Sequence, residues 1–133
     1  MKKALLVFLS LVIMLSVSAV ALADDITFAL VTDVGNIDDQ SFNQSTWEGL
    51  EAFAEANGLV KDVDYAYYKP FEDSDDARIE SITTAIEYGA KVVVVPGYLF
   101  NTAVLTAAAD NPDVIFIGVD LTIAADAFPS NVT

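Results

Sequence analysis

The run VTDVGNIDDQSFNQSTWEGL, from Val31 to Leu50, carries the end of an apolar segment into a polar turn and then into a helix. The apolar segment, Ile26 to Val31, reads as a strand that is hydrophobic on both faces, the pattern of a central parallel strand covered by helices on either side. The turn holds Asp33, Gly35, Asn36, Asp38 and Asp39, and the helix is expected from about Ser41, a residue suited to cap it. Phe42, Thr46, Leu50 and Phe53, with Ala54, recur at three- and four-residue steps and predict the inner face of that helix. Open α/β sheets bind small molecules at such a corner: the turn lies beyond the carboxyl end of a strand, and the helix amino end offers free N–H groups. It reads as half of a ligand cleft.

Outward from this corner the chain alternates. Asn57-Gly58 stops the helix, and Asp64 to Lys69, DYAYYK, predicts a second strand ended by Pro70. Glu72, Asp73, Asp75 and Asp76 precede a helix from Ala77 to Tyr88 on which Ile79, Ile82 and Ile86 keep helical spacing. The acids suit the positive end of the helix dipole, and Asp73 or Ser74 can cap it. After Gly89, Lys91 to Val95 predicts a buried strand ending in Pro96-Gly97-Tyr98. Leu99 to Ala109 reads as a third helix with Phe100, Val104, Leu105 and Ala108 inward, stopped by Asp110-Asn111-Pro112. Val114 to Val119 is a fourth strand delivering Asp120, and Asp126, Pro129, Ser130 and Asn131 mark loop. The order β-α-β-α-β-α-β with short connections predicts an open parallel α/β sheet with right-handed crossovers and helices on both faces. A unit with no helix after its last strand leaves part of one face uncovered.

Not all of the 54% hydrophobic content belongs to that fold. Met1-Lys2-Lys3 gives a basic start, Ala4 to Val20 an apolar run and Ala21-Leu22-Ala23 a small-x-small cleavage site, so residues 1–23 describe a secretory signal peptide. A membrane anchor is the rival reading, since the run is only slightly shorter than the ~20 residues that cross a bilayer. Export places the protein on the periplasmic or extracellular side of a bacterial plasma membrane, touching the membrane only through a permease or an uncleaved signal. The net charge of −14 becomes more acidic still when two lysines leave with the leader; such a surface repels phosphate backbones and excludes nucleic acid as a partner. With no cysteine and no histidine, thiol chemistry, histidine triads and His or Cys metal sites are excluded, and no cofactor is implied.

Three turns, Asp33 to Phe42, Pro96-Gly97-Tyr98 and Asp120, follow the first, third and fourth strands, so a parallel sheet sets them on one rim where they converge on a common ligand. Phe42, read from periodicity, is equally the first core residue of its helix, and Asp33 is equally a turn-stabilising aspartate. Asp38 and Asp39 join Asp33 in an acidic turn, yet the alternate oxygen ligands and terminal glutamate of a calcium loop are missing, and charge at a helix amino end accounts for them without a metal. Asn43-Gln44-Ser45 and Asn131-Val132-Thr133 match the glycosylation pattern, which short sequences meet by chance.

Thr32-Asp33, Gly35, Ile37-Asp38-Asp39, Ser41-Phe42-Asn43 and Trp47-Glu48-Gly49 together resemble the signature of the basic membrane protein family, the purine-nucleoside-receptor-like substrate-binding proteins of ABC importers. The likeness continues more weakly through Val92 to Tyr98 and Phe116 to Asp120, so it spans nearly all of the chain after Asp24. It implies a type I periplasmic binding protein-like lobe, with residues 24–133 as the amino-terminal wall of a two-lobe cleft and the chain as a fragment of roughly half such a protein. It implies a nucleoside ligand, an ABC permease as partner and no catalysis. By the same resemblance Phe42 stacks on the base, Asp33 receives donors from base or sugar, Asp120 grips ribose hydroxyls, Asn43 contributes its amide, Gly97 admits the ligand to the backbone and Tyr98 lines the cleft. Many relatives carry a lipid-anchoring cysteine at the cleavage point; here Ala23-Asp24 stands there, so a freely soluble exported form is expected.

Two other readings remain open at this point. The fold is shared with receptors for sugars and other small polar ligands, and fold does not fix function. An exported α/β hydrolase using Asp33 with Asp38 or Asp39 is the reading of another class; the lack of histidine, of a Gly-x-Ser-x-Gly elbow and of a phosphate loop weighs against it.

Overall fold

The computed structural model describes residues 26–133. The leader expected over 1–23 lies outside the described residues. Four strands, β1 (Phe28–Val31), β2 (Tyr65–Tyr68), β3 (Val92–Pro96) and β4 (Ile115–Val119), form one sheet of order β2-β1-β3-β4 in which every neighbouring pair is parallel. The helices are α1 (Phe42–Asn57), α2 (Asp75–Glu87) and α3 (Asn101–Asp110), the last preceded by a 3₁₀ turn over Tyr98–Phe100. β1 is paired on both sides, Phe28 facing Tyr65 on one neighbour and Val92 on the other. The chain therefore leaves β1 toward β2 and later returns to its opposite side, which makes the gap between the carboxyl ends of β1 and β3 the topological switch point.

The sheet's two faces bury different partners, because successive strand residues point in opposite directions. Ala29, Val31, Val93, Val95 and Phe116 pack under α2 and α3 with Ile82, Ala85, Phe100 and Val104. Leu30, Val94 and Tyr65 pack under α1 with Trp47, Leu50 and Ala54. The first face carries two helices and the second only one, so the expected gap in cover falls on the α1 side of β3 and β4, where Ile115 and Ile117 are exposed.

Several boundaries differ from the sequence-based expectation, each for a local reason. Ser74 caps α2 by accepting the Ala77 amide at 3.2 Å, so that helix begins at Asp75, two residues before the predicted start. The third helix opens as a 3₁₀ turn because Gly97, at φ 91°, bends the chain out of β3 and the Phe100 N–H donates to Gly97 O at 3.1 Å. On α1 the buried residues are Asn43, Trp47, Leu50 and Ala54; Phe42 and Phe53, predicted inward, are exposed. The aromatic wall of β2 draws the helix toward itself, with Trp47 lying 5.6 Å from Tyr65 and 5.4 Å from Tyr67, ring centre to ring centre. The segment predicted as terminal loop includes a 3₁₀ turn, Ala125–Ala127, and then runs beside β4, where Phe116 pairs in parallel with Val132.

Candidate ligand-binding site

The turn after β1 is held by side chains rather than by a regular backbone pattern. Asp33 Oδ1 accepts the Gly35 amide and, at 2.7 Å, Nδ2 of Asn43; the Asp33 N–H in turn donates to Asn43 Oδ1 at 3.1 Å. Asn43 is buried and its Nδ2 also donates to Asp39 Oδ2 at 2.8 Å. Gly35 is required by contact: a Cβ there would sit 2.5 Å from Asn43 Nδ2 and 2.8 Å from Asp33 Oδ1. Among the described residues Asp33 Oδ2 has no protein hydrogen-bond partner, and the residue is half-buried.

The cap of α1 is Asp39, which periodicity did not single out. Its Oδ1 accepts the amides of Ser41 at 2.8 Å and Gln44 at 3.1 Å, while Ser41 makes no side-chain cap bond. The signal was present as an aspartate two residues ahead of Ser41, which flanks the helix, an arrangement that folds a carboxylate back on following amides. Desolvation raises the Asp39 carboxyl, but hydrogen bonds from the Gln44 and Ser41 amides and from Asn43 outweigh it and hold the group below its ordinary value. The Asn43 amide also lies between Asp33 and Asp39, where a cation would have to sit.

Phe42, the first residue of α1, turns the other way and is 50% exposed, so it is not a core residue. Its ring lines an apolar trough of about 700 Å³ together with Thr46, Leu50 and Phe53 of α1, Phe28 of β1, Val92 and Val94 of β3, and Ile117 and Val119 of β4. Phe42 and Val119 mark the end of this trough at the carboxyl rim of the sheet; Phe28 and Val92 mark its far end, at the amino ends of the strands. The space lies where the sheet lacks a second helix on this face.

The remaining rim residues follow β3 and β4. Gly97 donates its N–H to Val119 O at 2.7 Å, which ties the turn after β3 to the residue before Asp120. A Cβ on Gly97 would meet no atom within 4 Å, so the glycine is set by its φ of 91°, which disfavours side chains. Tyr98 is exposed, as is Asp120, which adopts φ 59°, a conformation aspartate tolerates better than most residues. Among the described residues the Asp120 carboxylate has no hydrogen-bond partner in the protein. The structure thus joins Asp33 directly to Asn43, joins Gly97 to the end of β4, and brings Phe42 and Val119 to one trough.

Comparison with known proteins accords with this geometry. The family of PnrA-like ABC transporter substrate-binding proteins (Bmp) matches residues 26–133. A nucleoside-binding protein of an ABC transporter, BmpA of Lactococcus lactis subsp. cremoris, is 35% identical over 99 residues, 74% of this chain and 28% of that one. A protein of Listeria monocytogenes described as a CD4+ T-cell-stimulating antigen is 37% identical over 100 residues, again 74% of this chain and 28% of the relative. A solved solute-binding protein of an ABC transporter system from Aeropyrum pernix superposes with a TM-score of 0.65 at 23% identity, covering 80% of this chain and 27% of that one, a likeness of fold. The chain spans less than a third of the length of these relatives. It belongs to the family of PnrA-like ABC transporter substrate-binding proteins.

Proposed function

We propose, from that membership, that residues 24–133 form the amino-terminal lobe of a two-lobe receptor that captures a nucleoside, with a purine base, outside the cytoplasm and delivers it to the permease of an ABC importer. The observation that carries the reading is the opposed orientation of two consecutive residues at the start of α1. Asn43 points inward and fixes Asp33, while Phe42 points outward and offers half of its ring. The first turn of α1 therefore both anchors a carboxylate, through Asn43, and exposes an aromatic ring, that of Phe42. Those are the two features that a flat base bearing polar edges requires.

In this reading the base stacks on Phe42, an interaction worth about 1–3 kcal/mol. Asp33 accepts a donor of the base or sugar through Oδ2, its Oδ1 being already committed to Gly35 and Asn43. Asn43 acts through Asp33, since its amide is spent within the turn. Asp120 accepts from the ribose hydroxyls in the paired manner open to an ionised carboxylate. Gly97 leaves room for the ligand at the backbone, and Tyr98 flanks it. Closure of a second lobe over the ligand, rather than any covalent change, is the working step. The nucleoside-binding function of the Lactococcus lactis relative supports the choice of ligand.

Isothermal titration of the protein joined to its second lobe with guanosine, adenosine and inosine, and in parallel with ribose and glucose, tests the proposal. Heat from a nucleoside and none from the sugars is expected. Binding of a sugar alone would overturn the ligand, and release of free base on incubation would overturn the non-enzymatic reading.

A further inference from the structure

Arg78 forms a second tie at the rim, separate from the ligand contacts above. It is the fourth residue of α2, and its side chain is 3% exposed. Its guanidinium donates to the carboxylate of Asp73 and lies 3.4 Å from Asp75 Oδ1. The same group sits 5.8 Å from the centre of the Phe100 ring. Phe100 is fully buried and closes the 3₁₀ turn that starts at Tyr98 and is bonded back to Gly97. Asp73 belongs to the connection after β2, and Phe100 to the connection after β3. One side chain therefore joins two of the loops at the carboxyl end of the sheet.

Stability alone does not account for it. A buried ion pair is commonly matched or exceeded by an apolar side chain of similar volume. Here the burial also leaves Arg78 Nε without a partner among the described residues, a further cost. What the guanidinium supplies and a methionine would not is direction, because a planar donor fork fixes carboxylates on one edge while its face packs on a ring.

We propose that Arg78 is a positioning residue that clamps the turn carrying Gly97 and Tyr98 to the loop carrying Asp73, and so sets the β3 side of the ligand edge. Its functional half rests on the nucleoside reading; the clamp itself does not. The test is amide hydrogen exchange on the full chain for the parent, Arg78→Met, Arg78→Lys, Phe42→Ala and the double variant Asp73→Asn with Asp75→Asn, followed by guanosine titration of each in the two-lobe protein. In Arg78→Met the thermal midpoint is expected to hold or rise, while exchange at the Gly97 and Phe100 amides quickens about tenfold and β1 is unaffected. Arg78→Lys should recover part of that protection. The double variant keeps the arginine but removes both of its counter-charges, so it is expected to lower the thermal midpoint as well as to quicken exchange in the same turn. Arg78→Lys keeps the ion pair and serves as the folded variant if Arg78→Met does not fold.

Guanosine affinity should fall in step with the loss of protection, whereas Phe42→Ala should lose affinity with exchange at Gly97 unchanged. Unaltered exchange at Gly97 and Phe100 in the charge variants, or a lowered midpoint as the sole effect, would overturn the clamp. Quickened exchange with no guanosine binding by any form, the parent included, would uphold the clamp and remove the nucleoside reading instead.

Discussion

Asn43 and Asp33 are joined twice: the Asn43 amide donates to Asp33 Oδ1 over 2.7 Å, and the Asp33 N–H donates to Asn43 Oδ1 over 3.1 Å. This reciprocal pair turns a flexible polar turn into a fixed support for one carboxylate. Asn43→Ala deletes both bonds and the third one to Asp39, leaving a backbone donor unpaired. The loss is expected to lower unfolding free energy by about 1–3 kcal/mol in urea titration. Asn43→Asp should be at least as damaging, because it sets a third carboxylate between two others.

Gly35 tests the same support from the other side. Gly35→Ala places a methyl group against Asn43 Nδ2 and Asp33 Oδ1, so the pair must move apart. Nucleoside affinity should drop about tenfold or more by titration, with global stability lowered by about 1–3 kcal/mol as for other overpacked sites. Gly49→Ala is the control: a Cβ there meets nothing within 4 Å, and the substitution should stabilise α1 slightly.

The contrast between Gly35 and Phe42 shows what a single sequence discloses. The alternation of strands and helices and the parallel sheet with its shared rim were legible, because successive short strand and helix patterns leave few topologies. Which strands lie side by side was not read from the sequence. The orientation of α1 was not. Phe42, Thr46, Leu50 and Phe53 make as good a helical stripe as Asn43, Trp47, Leu50 and Ala54, and periodicity cannot choose between stripes one residue apart. The choice was made by tertiary partners, the tyrosines of β2, which take Trp47 and leave Phe42 outside. Burial of Asn43 and Arg78 was hidden for a related reason: each is polar, and its partners come from a neighbouring turn or a different element.

Phe42 separates binding from stability. Because half of its surface is already solvent-exposed, Phe42→Ala should lower unfolding free energy by less than about 1 kcal/mol, while nucleoside affinity falls by about 1–3 kcal/mol, roughly 5- to 150-fold. Phe100→Ala, at a fully buried ring, should cost about 3–5 kcal/mol of stability instead. Equal destabilisation by the two changes would mean that Phe42 is a packing residue.

Asp39 gives the turn a dependence on acid. Its carboxyl is held below the ordinary value in the fold, so its contribution is fully present above the unfolded value near 3.8 and is lost as pH falls through the lower folded one. Between pH 5 and 7 the cap should therefore be insensitive to pH. Amide resonances of Ser41 and Gln44, which donate to this carboxylate, should shift together below about pH 4. In Asp39→Asn that joint step should vanish.

The uncovered side of β3 and β4 makes a different prediction. Ile115 and Ile117 are 51% and 38% exposed, and Phe42 and Phe53 border the same trough, so a continuous apolar patch faces solvent in this chain. Patches of this kind drive association in water. Ile117→Lys places a charge on an already accessible position, where the loss of packing is small and the gain in solvation is large. Light scattering at rising concentration should show less self-association for Ile117→Lys than for the parent, with the thermal midpoint nearly unchanged. Val93→Lys, on the opposite and fully buried face of the sheet, should instead prevent folding, since it desolvates an unpaired ammonium in the core.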